Sequence, residues 1–264
     1  MNHRIQGKTI LITGASRGLG EQIAYKCAEN GANLILTARS MDKLEKIKDI
    51  IVDKYGVQVA TYRLDVGDRF ELEERMDTII EQNRTIDVLV NNAGFGKFKY
   101  LVDTSIEEAE EMFRVNVLGL ITVTKKVLPT MMNQKSGHVI NIASQAGKLA
   151  TPKSSIYAAT KGAVIKFSDS IRMEVQKNNI FVTTINPGPI HTNFFDIADE
   201  TGKYLQHVGR WGLDPELLAE KIVMRMFVQT REINLPKLMN FGSILHALFP
   251  NVVEKLGKRA FNKK

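Results

Sequence analysis

Seven short, mostly apolar runs alternate along the chain with longer segments in which apolar residues recur every three or four positions. The short runs predict buried β-strands, and the longer segments predict amphipathic helices. The predicted strands are residues 8–13, 33–38, 57–64, 87–92, 137–143, 181–187 and 232–235. The predicted helices are Glu21–Asn30, Met41–Tyr55, Arg69–Asn83, Ser105–Met132, Ser155–Lys177 and Pro215–Gln229.

This alternation predicts an α/β fold, a Rossmann-type doubly wound parallel β-sheet with helices on both faces. The strands are almost continuously apolar, as strands are when helices cover both faces of their sheet. The length of 264 residues, without an internal repeat or a low-complexity linker, predicts one domain. Ligands of such sheets bind at the carboxyl ends of the strands, so the residues that follow each strand are the candidates for a site.

The composition is that of an ordinary globular protein, with 44% hydrophobic and 25% charged residues. No apolar run is long enough to cross a bilayer, and the N-terminal residues do not have the pattern of a signal peptide. The single cysteine, Cys27, excludes an intrachain disulfide and is expected to be a buried structural thiol. The five histidines show no metal-ligand spacing, so no metal site is expected. These features predict a cytoplasmic protein.

The net charge of +7 is concentrated at the C-terminus. Residues 255–264 contain five of the 36 basic residues and none of the 29 acidic ones. The remainder, with 31 basic and 29 acidic residues, is nearly balanced. A nucleic-acid partner is therefore not expected, because such a partner requires a basic stripe on the fold itself.

The turn after the first predicted strand reads TGASRGLGE and contains Gly14, Gly18 and Gly20. Glycines let a backbone approach a pyrophosphate closely, and a helix N-terminus offers free N–H groups with a partial positive charge. The spacing is neither GxGxxG nor that of a P-loop, and ordinary tight turns also require glycine. The position of these glycines between a strand and a helix nevertheless favours dinucleotide binding.

The end of the second strand indicates which dinucleotide binds. NAD sites commonly place a carboxylate about 20 residues after the glycines, where it binds the ribose hydroxyls. Residues 36–41 contain no acid, and Arg39 and Ser40 stand there instead. Together with Ser16 and Arg17 of the glycine turn, these side chains can hold a 2′-phosphate. The alternative is that Arg39 is a solvated strand-end residue; we favour NADP(H) over NAD.

A phenol and an amine, Tyr157 and Lys161, lie four positions apart in the segment SSIYAATKGAV. Residues at this spacing share a helix face. A nearby ammonium lowers the pKa of a tyrosine from about 10, and reaching neutrality requires about 4 kcal/mol of differential interaction. The small residues Ala158, Ala159 and Gly162 leave space for a cofactor beside this pair. Tyr and Lys at this spacing also occur on ordinary exposed helices, so the pair alone does not establish a catalytic site.

With the residues around this pair, the chain resembles the short-chain dehydrogenase/reductase family, of the type with TGxxxGxG and YxxxK motifs. The residues that carry the resemblance are 13–20, Asp65, 91–94, Asn116, Ser144, Tyr157, Lys161, Pro187 and Gly188. They lie between Lys8 and about Thr192, in the family's order and at its intervals. The resemblance implies a single NADP-binding domain over residues 1–264 that acts as an oxidoreductase on a carbonyl compound or a secondary alcohol. Family members are usually dimers or tetramers, so a homodimer or homotetramer is expected.

The resemblance also implies a role for each candidate catalytic residue. Tyr157 would exchange a proton with the reacting oxygen, and Lys161 would hold the nicotinamide ribose and lower the pKa of the tyrosine. Ser144 would hydrogen-bond the reacting oxygen, and Asn116 would anchor a water in a proton relay to Lys161. The alternative function is a non-catalytic NADP-binding sensor or scaffold of the same fold.

Further residues are expected, from the resemblance, to contact the cofactor. Asp65 and Val66 would contact the adenine, residues 92–94 the adenosine ribose, and the residues after the sixth strand the nicotinamide carboxamide. The full set of candidate cofactor contacts is Gly14, Ser16, Arg17, Gly18, Leu19, Gly20, Arg39, Ser40, Asp65, Val66, Asn92, Ala93, Gly94, Tyr157, Lys161, Pro187, Gly188, Ile190 and Thr192.

Residues 191–214 correspond to the family's substrate lid. Aromatic residues are frequent there and in the loop after the fourth strand: Phe194, Phe195, Tyr204, Trp211, Phe95, Phe98 and Tyr100. They indicate either a pocket for a bulky apolar carbonyl compound or the packing of the lid onto the body, and both interpretations remain open.

Residues 237–264 form an amphipathic and basic C-terminal extension. Phe241, Ile244, Leu245 and Leu248 make an apolar helical stripe that ends at Pro250. With the basic residues that follow, this stripe is suited to peripheral contact with an anionic membrane surface. The alternative is that it packs against the body of the protein or against a second subunit.

Overall fold

The computed structural model describes residues 2–83, 85–198 and 212–261. Seven strands form within one or two residues of the predicted ends; the apolar runs of five strands are mostly buried, and those of the third and seventh strands are half-buried. The strands are β1 (Thr9–Thr13), β2 (Asn33–Ala38), β3 (Val59–Arg63), β4 (Val88–Asn91), β5 (Gly137–Ile142), β6 (Ile180–Pro187) and β7 (Glu232–Leu235).

All seven strands are parallel and belong to one sheet, in the order β3-β2-β1-β4-β5-β6-β7. The chain therefore starts in the middle of the sheet, proceeds outwards to β3, and then returns to add β4 on the other side of β1. This reversal opens a crevice between the carboxyl ends of β1 and β4. The predicted fold class, a single doubly wound domain, is confirmed.

Helices cover both faces of the sheet. They are α1 (Gly18–Glu29), α2 (Met41–Tyr55), α3 (Arg69–Gln82), α4 (Ile106–Phe113), α5 (Leu120–Gln134), α6 (Ser155–Glu174), α7 (Phe195–Ala198), α8 (Pro215–Val223), α9 (Lys237–Leu248) and α10 (Pro250–Phe261). Along β1, Ile10 and Ile12 pack into one apolar layer and Leu11 into the other, because successive side chains of a strand point to opposite faces.

Two helix predictions were wrong in part. The helix predicted over Ser105–Met132 is interrupted by a π-helical segment, Arg114–Gly119, which separates α4 from α5. The helix predicted over Pro215–Gln229 ends at Val223, and Phe227 beyond it adopts a φ of 57°, which a continuing right-handed helix does not allow.

The burial of side chains bears on two predictions about individual segments. Cys27 is fully buried in α1, and this burial raises the pKa of its thiol, so the expected structural thiol is confirmed. On α9, Phe241, Ile244 and Leu248 are 48–65% exposed. Leu245 of the same stripe is half-buried, so the stripe packs against the body only in part, and contact with a second subunit or a membrane stays a prediction. Within the described residues, no helix combines the length and the apolar character needed to span a membrane.

Candidate functional site

A cavity of about 600 Å³ lies at the carboxyl ends of the strands. This volume is in the range of small-molecule and cofactor sites. All of the predicted catalytic and cofactor-binding residues line it except Gly20 and Asn116. The residues after β1, β2, β4, β5 and β6, which are far apart in the sequence, therefore meet in one place.

The glycine turn packs closely against the end of β4. Gly14 and Gly18 have φ values of 66° and 60°, a region that favours glycine. A Cβ on Gly14 would lie 2.8 Å from the Cα of Ala93, so only glycine permits this approach. Gly20 does not line the cavity; it packs beneath the turn, where a Cβ would collide with the carbonyl oxygen of Gly14.

Thr13 and Asn92 hold the two strand ends together. The hydroxyl of Thr13 accepts hydrogen bonds from the backbone N–H groups of Asn92 and Ala93, both at 3.1 Å. The side-chain amide of Asn92 donates to the carbonyl oxygens of Thr13 and Gly14, both at 3.0 Å. Through these bonds, Asn92 fixes the shape of the turn. Sequence reasoning had described Asn92 only as a cofactor contact.

Three basic side chains line the cavity near the ends of β1 and β2. Two of them were predicted: Arg17 in the turn after β1 and Arg39 after β2, with Ser40 at the N-cap of α2, where its side chain makes no capping hydrogen bond. The third cation is Lys43, in the first turn of α2, which sequence reasoning missed. An acid-poor strand end followed by Arg39 and Lys43 is the signal that could have found it.

Tyr157 and Lys161 face the cavity from α6 and are 7% and 5% exposed. The Lys161 ammonium lies 5.8 Å from the centroid of the Tyr157 ring and donates a hydrogen bond of 2.9 Å to the carbonyl oxygen of Ile142. Burial lowers the pKa of Lys161 to about 8. The lysine is thus mostly charged at neutral pH, although it sits in an environment that disfavours the charge.

Ser144 is the second residue after β5 and also lines the cavity. Its hydroxyl accepts a hydrogen bond of 3.1 Å from the backbone N–H of Ala146 and donates one of 3.4 Å to the carbonyl oxygen of Pro187. The turn that carries these residues packs tightly on α6, where a Cβ on Gly147 would lie 2.7 Å from the carbonyl carbon of Lys161. Gly162 faces this same turn and not the cavity, because a Cβ there would lie 3.6 Å from the carbonyl oxygen of Gly147, an ordinary contact; the expectation that it leaves space for a cofactor is therefore not supported.

Asn116 lies in the π-helical segment and is 1% exposed. Its side chain accepts a hydrogen bond of 2.9 Å from the N–H of Phe95 and donates one of 2.7 Å to the carbonyl oxygen of the same residue. A further bond of 3.2 Å goes to the hydroxyl of Thr160 on α6. Asn116 therefore anchors the loop after β4 to the helix that carries Lys161, and its water relay stays a prediction.

The aromatic residues divide between packing and the cavity. Phe195 is 5% exposed and packs against Phe98, with ring centroids 6.3 Å apart. Phe194 is half-buried and lines the cavity, with its ring centroid 5.8 Å from that of Tyr157. Tyr100 is 54% exposed beneath the ammonium of Lys153. Phe195 and Phe98 also line the cavity, so the same rings both pack together and face it, and the bulky apolar substrate stays a prediction.

Two parts of the predicted site cannot be placed. Tyr204 and Trp211 of the predicted lid lie outside the described residues. Across the part of the chain that the structure describes, no group of three His, Cys, Asp or Glu side chains is arranged to hold a metal ion.

The chain is similar in sequence and in structure to known proteins. A family model described as short chain dehydrogenase matches residues 8–202. The chain is 41% identical over 220 residues to the NADP-dependent 3-hydroxy acid dehydrogenase YdfG of Salmonella typhi, covering 81% of this chain and 86% of that protein. It is 38% identical over 193 residues to a dehydrogenase/reductase SDR family protein 7-like of Anopheles gambiae, covering 71% of this chain and 61% of that relative's length. A solved structure of an alcohol dehydrogenase from the archaeon Thermococcus sibiricus, complexed with 5-hydroxy-NADP, is similar with a TM-score of 0.79 and 32% identity, covering 87% of this chain and 96% of that one.

Proposed function

The chain belongs to the short-chain dehydrogenase/reductase family, and from this premise we propose that it is an NADP(H)-dependent oxidoreductase that transfers hydride between the nicotinamide and a carbonyl compound or secondary alcohol. The observation that carries the proposal is the convergence of Ser144, Tyr157 and Lys161 on one cavity at the carboxyl end of the sheet. A phenol, a hydroxyl and an ammonium at one place are the groups that proton transfer to a developing alkoxide requires.

The residues of the cavity suit NADP(H). The left-handed backbone of Gly14 and Gly18 and the N-terminus of α1 form a turn that a pyrophosphate can approach. Arg17 after β1 and Arg39 and Lys43 after β2 supply positive charge to the cavity, which suits a 2′-phosphate. The names of the Salmonella relative and the Thermococcus structure both mention NADP, which supports the same choice.

The bound cofactor would supply the hydride, and the chain's own residues would position the carbonyl group and move the proton. Ser144 would donate a hydrogen bond to the carbonyl oxygen and stabilise its developing negative charge. Tyr157 would donate the proton to that oxygen in reduction and accept it in oxidation. Lys161 would favour the phenolate through its positive charge and hold the cofactor ribose with its remaining N–H donors.

We also propose that residues 191–214 form a lid over the cavity and that the protein works as a homodimer or homotetramer. α7 supports the lid assignment, because the carbonyl oxygen of Ala198 accepts a hydrogen bond of 2.8 Å from the N–H of Phe98 beside the cavity. The buried single thiol of Cys27 suits a cytoplasmic location.

The decisive experiment measures NADPH oxidation by the wild type and by Tyr157→Phe on a panel of ketones and aldehydes. We expect Tyr157→Phe to lower kcat by roughly a hundredfold or more, because the general acid is removed. Met173→Leu, an exposed change further along α6, is the matched control and should leave kcat unaltered. Calorimetric titration with NADPH should give similar dissociation constants for all three proteins.

The outcomes separate the two candidate functions. Tight NADPH binding with no turnover on any compound would favour the non-catalytic sensor or scaffold. Equal turnover by the wild type and Tyr157→Phe would remove Tyr157 from the role of proton donor.

A further inference from the structure

We infer that the site selects an uncharged ketone or aldehyde with an aromatic or bulky apolar substituent and discriminates against substrates that carry a carboxylate. The inference rests on the proposed function, since it concerns the carbonyl compound that Tyr157 would protonate. It is carried by the shape of the cavity wall around Tyr157 and by the pairing of the charges along that wall.

The wall beside the phenol is aromatic. The rings of Phe98 and Phe194 lie with their centroids 5.7 and 5.8 Å from that of Tyr157. Phe194 and Tyr157 both close on Gly96: a Cβ at that position would lie 3.2 Å from Cζ of Phe194 and 2.9 Å from Cδ2 of Tyr157. A carbonyl oxygen placed at the phenol would therefore have its substituents against the ring of Phe194. Aromatic rings favour such apolar or aromatic groups through burial and edge-to-face contact.

Further lining residues from other elements are also apolar. Leu149, from the turn after β5, lines the cavity together with Met239 of α9. Met239 reaches the end of β6, where a Cβ on Gly188 would lie 2.8 Å from its Sδ atom. A methionine adapts its shape to an irregular apolar ligand, so this wall can accept substituents of different outline.

The lysines on this side of the cavity are paired with a carboxylate. Lys97 lines the cavity, but its ammonium lies 3.1 Å from the carboxylate of Glu108. Lys99 binds the same carboxylate at 2.7 Å, and the two lysines lower the pKa of Glu108 to about 2, so it is ionised at neutral pH. Glu111 of α4 also lines the cavity, and its carboxylate would repel an acidic substrate.

A substrate carboxylate would therefore meet no available cation among the described residues around Tyr157. Arg17, Arg39 and Lys43 belong to the proposed 2′-phosphate site, and the ammonium of Lys161 binds the carbonyl of Ile142 and is assigned the proposed ribose contact. A charged group buried without a partner loses its hydration uncompensated. Among the described residues on this side of the cavity, Lys97 could bind an acid only if its pair with Glu108 were broken.

The test uses matched substrates that differ in one property. NADPH oxidation is measured with methyl 4-acetylbenzoate and 4-acetylbenzoate, which differ in the carboxylate charge, and with acetophenone and 2-butanone, which differ in the ring. We expect kcat/KM to be at least tenfold higher for the ester than for the acid, and at least tenfold higher for acetophenone than for 2-butanone.

Variants then test the aromatic wall. Phe194→Ala should raise KM for acetophenone about tenfold with a smaller change in kcat, and should leave 2-butanone nearly unaffected. Phe194→Leu should restore most of the affinity because it restores apolar contact. Phe70→Ala, at a position on α3 that is 86% exposed, is the matched control and should behave as the wild type.

Binding measurements separate failure of this inference from failure of the proposed function. The ester and the acid are also titrated calorimetrically into the complex with NADP⁺. Turnover with equal or better use of the acid, or an equal loss for all substrates in Phe194→Ala, would overturn the selectivity and leave the oxidoreductase intact. Absence of turnover with tighter binding of the ester would support the apolar pocket and overturn the oxidoreductase. Equal binding of the two without turnover would overturn both.

Discussion

Strand β5 buries a basic side chain near each of its ends. At the amino end, His138 is fully buried, and its two ring nitrogens both have partners. Nδ1 accepts a hydrogen bond of 3.0 Å from the N–H of Phe227, and Nε2 lies 2.8 Å from the hydroxyl of Thr183. At the carboxyl end, the ammonium of Lys161 is almost as buried, donates to the carbonyl of Ile142, and faces the cavity.

The two buried bases differ in their charge at neutral pH. An acceptor at Nδ1 requires a neutral imidazole, because both ring nitrogens of a charged imidazole are donors. Burial accordingly lowers the pKa of His138 to about 3, and the histidine stays uncharged at neutral pH. Burial lowers the pKa of Lys161 only to about 8, so its charge is retained at a cost. At the amino end of β5, the neutral His138 completes buried hydrogen bonds within the fold. At the carboxyl end, Lys161 keeps a positive charge that faces the cavity and can bind a ligand.

The largest expected effect concerns the amino end of β5 at acid pH. The unfolded chain protonates His138 below a pH of about 6.5, but the folded protein does so only near 3. The stability that depends on this histidine is therefore present above pH 6.5 and lost as the pH falls towards 3. Between these values the free energy of unfolding should decrease by on the order of 5 kcal/mol more in the wild type than in His138→Gln.

Urea denaturation at a series of pH values measures this difference. His3→Gln, at an exposed histidine, is the control and should follow the wild type. The quantity compared is the slope against pH, so a lower overall stability of His138→Gln does not affect the test. Parallel slopes for the wild type and His138→Gln would mean that the imidazole is already charged in the folded protein.

The next effect concerns Lys161 at alkaline pH. The folded protein releases this proton near pH 8 and the unfolded chain near 10.5, so the cost of burying the charge is present below pH 8 and disappears between these values. The free energy of unfolding of the wild type should therefore rise by on the order of 3 kcal/mol relative to Lys161→Met from pH 8 to 10.5. Denaturation curves would measure this rise. Lys166→Met, at an exposed lysine of α6, is the control; a difference of the same size in that variant would refute the assignment to Lys161.

The comparison also indicates what the sequence can reveal. The alternation of apolar strands and helices was sufficient for the sheet, because burial on both faces imposes a local pattern. The spacing of Tyr157 and Lys161 was sufficient for their shared face on α6, because helix geometry is also local. The role of His138 had no such signal: its partners, Thr183 and Phe227, belong to other elements and are brought to it only by the fold.

Other features that were missed depend on contacts between distant segments. The π-helical turn around Asn116 accompanies hydrogen bonds to Phe95 and Thr160, which lie in a preceding loop and a later helix. The hydroxyl of Thr13 bonds the end of β4, although nothing in the TGASRG segment specifies that neighbour. A lysine near the start of a helix, such as Lys43, is typical of solvated surfaces. Only its position in the lining of the cavity distinguishes Lys43 from other exposed lysines.

The smallest expected effect tests whether Lys43 serves the cavity in the way that Lys161 does. Lys43 and Lys46 lie on the same helix and are both exposed, but only Lys43 lines the cavity. If Lys43 contacts a 2′-phosphate, Lys43→Ala should weaken NADPH binding by about threefold to tenfold, in the range of one solvent-exposed ionic contact, and leave NADH binding unchanged. Lys46→Ala should change neither dissociation constant.

Fluorescence titration with both cofactors at low and high salt would measure these changes in affinity, because an ionic contact weakens as salt rises. An equal loss for NADPH and NADH would place Lys43 away from the 2′-phosphate, and tighter binding of NADH than NADPH by the wild type would contradict the choice of NADP(H) itself.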